Sequence, residues 1–242
     1  VIPSYRKPQS GYSEEGFTEE ADAEGYYPEN TFNMFVDREP RFYATVTYSG
    51  AYWRGRQIDF RMGAPDGRTG GPDYTTTGYL MRKFLDEDGV DILIGVFVNK
   101  TWNYFRLGEL YLNYAEALNE WKHGPTTEAY DAINKVRRRG FGNPDDTSIC
   151  DLPAGLDEAA FREAVRKERA YELAFEGHRR LDLVRWGIYY KTIQETSNKL
   201  SNWYSSANYV VAQYTEEGKH ELMPIPQREM DLCTQFNQNP GW

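Results

Sequence analysis

Three glutamates set the first chemical question. Glu168, Glu172 and Glu176 stand at i, i+4 and i+8, inside the stretch "KERAYELAFEGHRRLDLVRWG" (167–187). On a helix that spacing puts three carboxylates on one face, and like charges so placed repel by a few tenths of a kcal/mol per pair, roughly 0.2–0.5. Paired carboxylates can perform general acid–base hydrolysis of a glycosidic bond, with Glu172 and Glu176 as the pair. The neighbourhood argues against it. The stretch holds five basic and four acidic residues and is almost neutral. Guanidinium groups push a carboxylate pKa down, whereas a catalytic acid needs it raised. Acids along one helix also point the same way, not across a cleft. The stretch therefore reads as a structural ion network, with Arg169, Arg179, Arg180 and Arg185 as the cations at hand, and no catalytic residue is assigned.

The other reactive side chains offer little. His123, His178 and His220 are too far apart for metal-ligand spacing, and no His–Cys pair has it, so no metal or cofactor is expected. His178 reads as a packing and hydrogen-bonding residue. Cys150 and Cys233 are too few for a disulfide framework, and sequence leaves open whether they bridge. The glycines of "GAPDGRTGGPDYTTTG" (63–78) lack the Gly-Lys-Ser/Thr ending of a phosphate loop and read as a plain loop. "DEDGVD" (86–91) does not match an EF-hand loop and reads as an acidic turn.

The elements that would position these residues are mostly helical. In "RLGELYLNYAEALNE" the apolar positions recur at 3,1,3,1,3, one continuous helix stripe. "HGP" (123–125) ends it. Thr126 or Thr127 then caps a second helix, with Glu128 in its first turn, Arg137–Arg139 near its C-terminus, and Gly140 as its stop. The span 106–139 has the length of one tetratricopeptide-like helix pair, which cannot bury its own face and must stack on something else. A third helix is predicted from Asp157, as cap, to about Glu176, with Gly177 as its stop. Before these helices, Phe42–Tyr48 is β-branched and aromatic and, with a turn at Ser49-Gly50, reads as a short strand or hairpin. Residues 1–30 read as an irregular loop or linker. The segment from Tyr189 to Glu217 resists assignment. In the tail, "LMPIP" reads as extended and "REMDL" as a helical turn.

Composition narrows the classes. The chain has 242 residues, 40% of them apolar, and a net charge of −9. Mean hydropathy is −0.76. An acidic chain lacks the basic stripe that displaces counterions from nucleic acid, and it is a poor match for anionic lipid. No apolar window is long enough to span a bilayer. Aromatic residues are abundant, with 19 Tyr, 12 Phe and 6 Trp. Such rings serve cores and also binding surfaces.

Four blocks carry a resemblance. "LYLNYAEALNE", "AYDAINKVRRRG", "FREAVRKERAYELAFEGHRRLDLVRWG" and "LMPIPQREMDL…QNPGW" follow one another as in the C-terminal half of SusD/RagB-like proteins. "DREPRFYATVTYSGAYWRG" (37–55) resembles the element before them. The resemblance runs from about Asn33 to Trp242. It implies a mainly α SusD-like fold, with a tetratricopeptide-like helix pair and a loop-rich binding part with short strands. Residues 1–105 would be that loop-rich part, and 106–242 the helical part of the same larger domain. It implies a lipid-anchored outer-membrane protein at the bacterial cell surface, of Bacteroidetes type, that binds nutrient. Glycan comes first and peptide, as in the RagB branch, is the alternative. The ligand would pass to a SusC-like TonB-dependent transporter. Such proteins bind and do not catalyse. A glycoside hydrolase and a tetratricopeptide-type scaffold without nutrient binding are the readings of other classes.

Family members are roughly twice as long and carry a lipoprotein signal, so the chain reads as the C-terminal part of a larger protein. The partner face of its helix pair would then come from the other half, and the isolated chain is expected to behave poorly. For the ligand, flat sugar faces call for rings and hydroxyls for polar neighbours. The candidates are Tyr48, Tyr52, Trp53 and Tyr74, with Arg54 beside them.

Overall fold

A computed structural model of the chain describes residues 18–60, 63–67, 75, 78–85, 87, 101–199 and 215–242. It is mostly helical, as expected. Seven α-helices and four short strands occur among these residues. Two compact units divide at Glu176/Gly177. The loop-rich residues before 106 and the first helices after it therefore share one unit, although their compositions differ.

The first unit is organised by three helices: α2 (Leu107–Lys122), α3 (Thr127–Gly140) and α4 (Glu158–Glu172). Thr126 caps α3, its side chain accepting from Ala129 N at 3.3 Å, and Asp157 caps α4, accepting from Ala160 N at 2.8 Å. His123 ends α2 in a left-handed conformation, φ 55°. Apolar residues of α2 and α3 meet Phe161 and Val165 of α4 in a buried core that includes Leu112, Ala115, Ile133 and Val136. The helix pair thus stacks on α4. A second stripe of α2, formed by Leu107, Leu110, Tyr114 and Trp121, remains exposed.

Before the helices lies an aromatic layer. The strand expected at Phe42–Tyr48 is only half correct. Residues Pro40–Thr45 form a short helix, α1, and only Val46–Tyr48 forms a strand, β1. Pro40 at the helix start explains the difference, because its fixed φ suits the first helical turn. Antiparallel β1 and β4 (Tyr79–Met81) pair Val46 with Met81 and Tyr48 with Tyr79. Strands β2 (Tyr52–Trp53) and β3 (Arg56–Gln57) form a hairpin whose two turn residues, Arg54 and Gly55, both have positive φ. Tight two-residue hairpins require that conformation. Residues 18–30 are an irregular loop, one of the two readings, and a tethered one. Thr18 N donates to Thr31 O at 2.8 Å and Asp22 N to Tyr27 O at 2.9 Å, folding the segment onto the layer.

Helix α4 stops at Glu172, four residues before the predicted end. The cause lies outside the helix. Lys83 Nζ takes the carbonyls of Glu172 and Ala174 at 3.3 and 3.2 Å, and Arg106 Nη2 takes the Glu172 carbonyl as well. Cations that satisfy terminal carbonyls end a helix as a cap does.

The second unit holds α5 (His178–Arg185), α6 (Tyr189–Lys199) and α7 (Gln227–Leu232). His178 is the half-buried first residue of α5. Arg180 Nη2 donates to His220 O at 2.8 Å. Gln238 bonds both the N–H and the carbonyl of Ile225, at 2.8 and 2.9 Å, and so holds the extended "LMPIP" segment as a neighbouring strand would.

Candidate functional site

The carboxylate ladder is closed to solvent. Glu168 is 0% exposed, Glu172 2% and Glu176 8%. Arg41 Nη1 lies 2.7 Å from Glu168 Oε1 and 2.8 Å from Glu172 Oε2, while its Nη2 donates to Glu39 at 2.9 Å. Arg137 Nη1 meets Glu168 at 3.0 Å. Arg106 grips both Glu172 and Glu176, Arg139 adds a contact to Glu172, and Lys83 one to Glu176. Four buried acids therefore face five cations. Buried charge is tolerable only when paired and hydrogen-bonded in this way.

The cations differ from those expected. They come from α1, from the segment after β4, from the start of α2 and from the end of α3. Arg169 instead reaches Asn113 Oδ1, and Arg185 reaches Asp182. Sequence distance misled here, because partners in a folded chain are chosen by packing and not by neighbourhood.

The electrostatics oppose acid–base work. Burial pushes Glu172 and Glu176 up, but the surrounding guanidinium and ammonium groups outweigh it and hold both below the usual carboxylate range. Glu39 goes the other way, with burial winning over Arg41. Two glycines are fitted to the network. A Cβ on Gly140 would stand 2.3 Å from Arg41 Nε, and one on Gly108 would stand 2.8 Å from both Arg106 Nη1 and Glu172 Oε1. Gly140 is therefore glycine for clearance inside α3. Positive φ follows two residues later, at Gly142.

The ligand candidates fall in three places. Tyr48 is in the core, 1% exposed, with its ring centroid 4.8 Å from Phe35 and 5.2 Å from Phe42. Tyr52 is 54% exposed on β2. Trp53, half-buried, lies under Arg82, whose guanidinium carbon is 5.8 Å from the ring centroid. Arg54 is exposed at the hairpin tip with φ 49°. Tyr74 lies outside the described residues.

Tyr52 borders an open groove of about 660 Å³. Tyr26, Tyr27, Phe84, Arg82, Lys83, Asp22 and Glu87 also line it, and Tyr43 and Tyr48 form its floor from the core side. Tyr26 stacks on Tyr43 at 5.5 Å. Phe84 sits at φ 70°, a left-handed conformation that costs a side-chain-bearing residue roughly 1–2 kcal/mol. It is held there by backbone bonds from Arg82 and Lys83 to Thr45 O, at 2.9 and 3.2 Å. Strain of this kind gathers at ligand-facing positions. Sequence reading missed Tyr26, Arg82 and Phe84. The signal available was "GYYP", an aromatic pair between turn residues, inside a segment read as linker.

Among the described residues no cluster of His, Cys, Asp or Glu could hold a metal ion. Cys150 and Cys233 are free thiols.

Comparison with known proteins agrees with this architecture. The SusD family model matches residues 5–242. SusD-like protein P25 of Formosa agariphila is 39% identical over 128 residues, which is 53% of this chain and 21% of that protein. A SusD homologue of Bacteroides thetaiotaomicron superposes with a TM-score of 0.67 at 49% identity, covering 84% of this chain and 40% of the other. A SusD-like carbohydrate-binding protein of Bacteroides fragilis gives a TM-score of 0.58 at 27% identity, covering 81% and 41%. The chain thus spans two fifths of these solved relatives and a fifth of the curated one. With the family model over residues 5–242 and the solved relatives in agreement, the chain belongs to the SusD family.

Proposed function

We propose that this chain forms part of a cell-surface binding protein that captures glycan and passes it to a SusC-like TonB-dependent transporter in the outer membrane. The observation that carries the reading is the ring-lined groove bordered by Tyr52, Tyr26 and Phe84. Aromatic faces match the C–H faces of sugar rings, and the polar groups beside them match hydroxyls. Family membership supports it, as does the carbohydrate-binding relative from Bacteroides fragilis. Tyr52 would contact ligand directly. Trp53 and Arg54 would shape the hairpin that presents it, Tyr48 would support the floor, and Tyr74 is retained as a further contact. The carboxylates of the ladder take no part in chemistry. We place the protein at the outer-membrane surface on a lipid anchor. No helix among the described residues is long and apolar enough to cross a membrane.

Native affinity gels over a polysaccharide panel, run beside a peptide pool on an immobilised chain, test the reading. Retardation by a glycan, lost in Tyr52→Ala with unchanged folding, is the expected result. Retention of peptides and of no glycan would transfer the reading to peptide capture. Co-purification of the whole protein with a transporter from the outer membrane tests the partner.

A further inference from the structure

If the groove binds saccharide, as proposed above, its charges decide which saccharides enter. Four side chains charged at neutral pH line it among the described residues: Asp22, Arg82, Lys83 and Glu87. Two are cations and two are anions, so the wall sums to zero. Each is already engaged. Asp22 Oδ2 accepts from the backbone N–H groups of Glu24 and Tyr26, at 3.1 and 3.2 Å. Lys83 Nζ reaches away from the groove to Glu176 and to the carbonyls that end α4. Arg82 Nε donates to Glu87 Oε1 at 2.5 Å, and Arg82 Nη2 touches the same oxygen.

Arg82 is the cation best placed to clamp a uronate or a sulfate, since a guanidinium binds such groups by two parallel bonds. Glu87 occupies it. An acidic sugar would have to displace that carboxylate and then lie beside it, in a chain whose net charge is −9. A neutral sugar pays neither cost. Its hydroxyls can donate to the outer lone pairs of Glu87 while its ring faces rest on Tyr52 and Phe84.

We propose that the groove selects neutral oligosaccharides over acidic ones, and that Glu87 determines this by holding Arg82.

The test uses the whole chain in native affinity gels, with a panel of neutral polysaccharides in one arm and polygalacturonate in the other. Wild type should be slowed by a neutral polysaccharide and not by polygalacturonate. In Glu87→Gln the affinity for polygalacturonate relative to the neutral ligand should rise about tenfold, equivalent to ~1.4 kcal/mol. Adding Arg82→Gln should remove that gain, and thermal melts of all variants control for folding. Equal binding of both polysaccharides by wild type, lost in Tyr52→Ala, overturns the charge selection and leaves the groove standing. Absence of any gain in Glu87→Gln overturns the role of Glu87. Binding that survives Tyr52→Ala overturns the groove itself, and the selection with it.

Discussion

Arg41 and Glu172 stand 131 positions apart in sequence, and their side chains meet at 2.8 Å. One residue belongs to a six-residue helix in the loop-rich part, the other closes α4. Through this contact the buried acids fasten the aromatic layer to the helices. Arg41→Ala would strand Glu168 and Glu172 without their shared cation. Breaking a buried pair from one side costs about 3–5 kcal/mol. Urea denaturation should show a loss of that size, while Lys191→Ala, whose pair with Glu195 is exposed on both sides, should cost under about 1 kcal/mol.

Gly140→Ala should destabilise although alanine is the better helix former by about 1 kcal/mol. Its Cβ would meet the Arg41 guanidinium at 2.3 Å, and that group is locked by three carboxylates. Overpacking of this kind costs roughly 1–3 kcal/mol. In the Arg41→Ala background the penalty should vanish or reverse, a coupling that a double-mutant cycle reads directly.

Stability should depend on pH in two opposed ways. Glu172 and Glu176 have folded pKa values below their ordinary 4.5, so their contribution is complete above that pH and is lost as pH falls through the lower folded values. Glu39 is raised above 4.5, so the folded state takes up its proton first and gains stability as pH falls towards that point. Urea midpoints followed from neutral pH downward should rise or hold until about 4.5 and then drop. Glu39→Gln should flatten the upper part and leave the acid drop in place.

Tyr48 and Tyr52 lie four residues apart and should respond oppositely. Tyr48→Ala empties a site among Phe35, Phe42 and Tyr43, and large buried aromatics lost in this way cost about 3–5 kcal/mol. Tyr52→Ala should change the melting temperature little, because the ring is half in solvent, and should abolish retardation by glycan. Melting curves and affinity gels on the two variants separate scaffold from contact.

The caps give a smaller, local effect. Thr126→Ala and Asp157→Ala each remove one acceptor from a helix start, and each should cost about 1 kcal/mol. Asn substitution at either position should restore most of it.

Helices α2, α3 and the start of α4 were legible because their apolar spacing, their caps at Thr126 and Asp157 and the Gly-Pro break all agree. The end of α4 was not, since it is set by Lys83 and Arg106, distant cations that no local pattern encodes. The same holds for the network. The acids of the ladder were visible and their near-neutral surroundings read as a structural ion network, but the true partners lie up to 131 positions away. Around the groove, Tyr52 was found as an aromatic beside a turn. Tyr48 follows the same rule and is core, because alternation along a strand three residues long does not say which face is inside. Tyr26 and Phe84 escaped because their segments lack periodicity; Tyr26 is placed by its N–H bond to Asp22, and Phe84 by the bonds of Arg82 and Lys83 to Thr45.

Lys83 shapes one wall of the groove while its ammonium is sunk among Glu176 and the end of α4. Tyr52 stands beside it, half in solvent. Exchanging Tyr52 for another side chain alters what a ligand meets and leaves the foundation beneath untouched. In the proposed role, swapping such a surface ring would change the ligand while the ion network that joins layer to helices stays as it is.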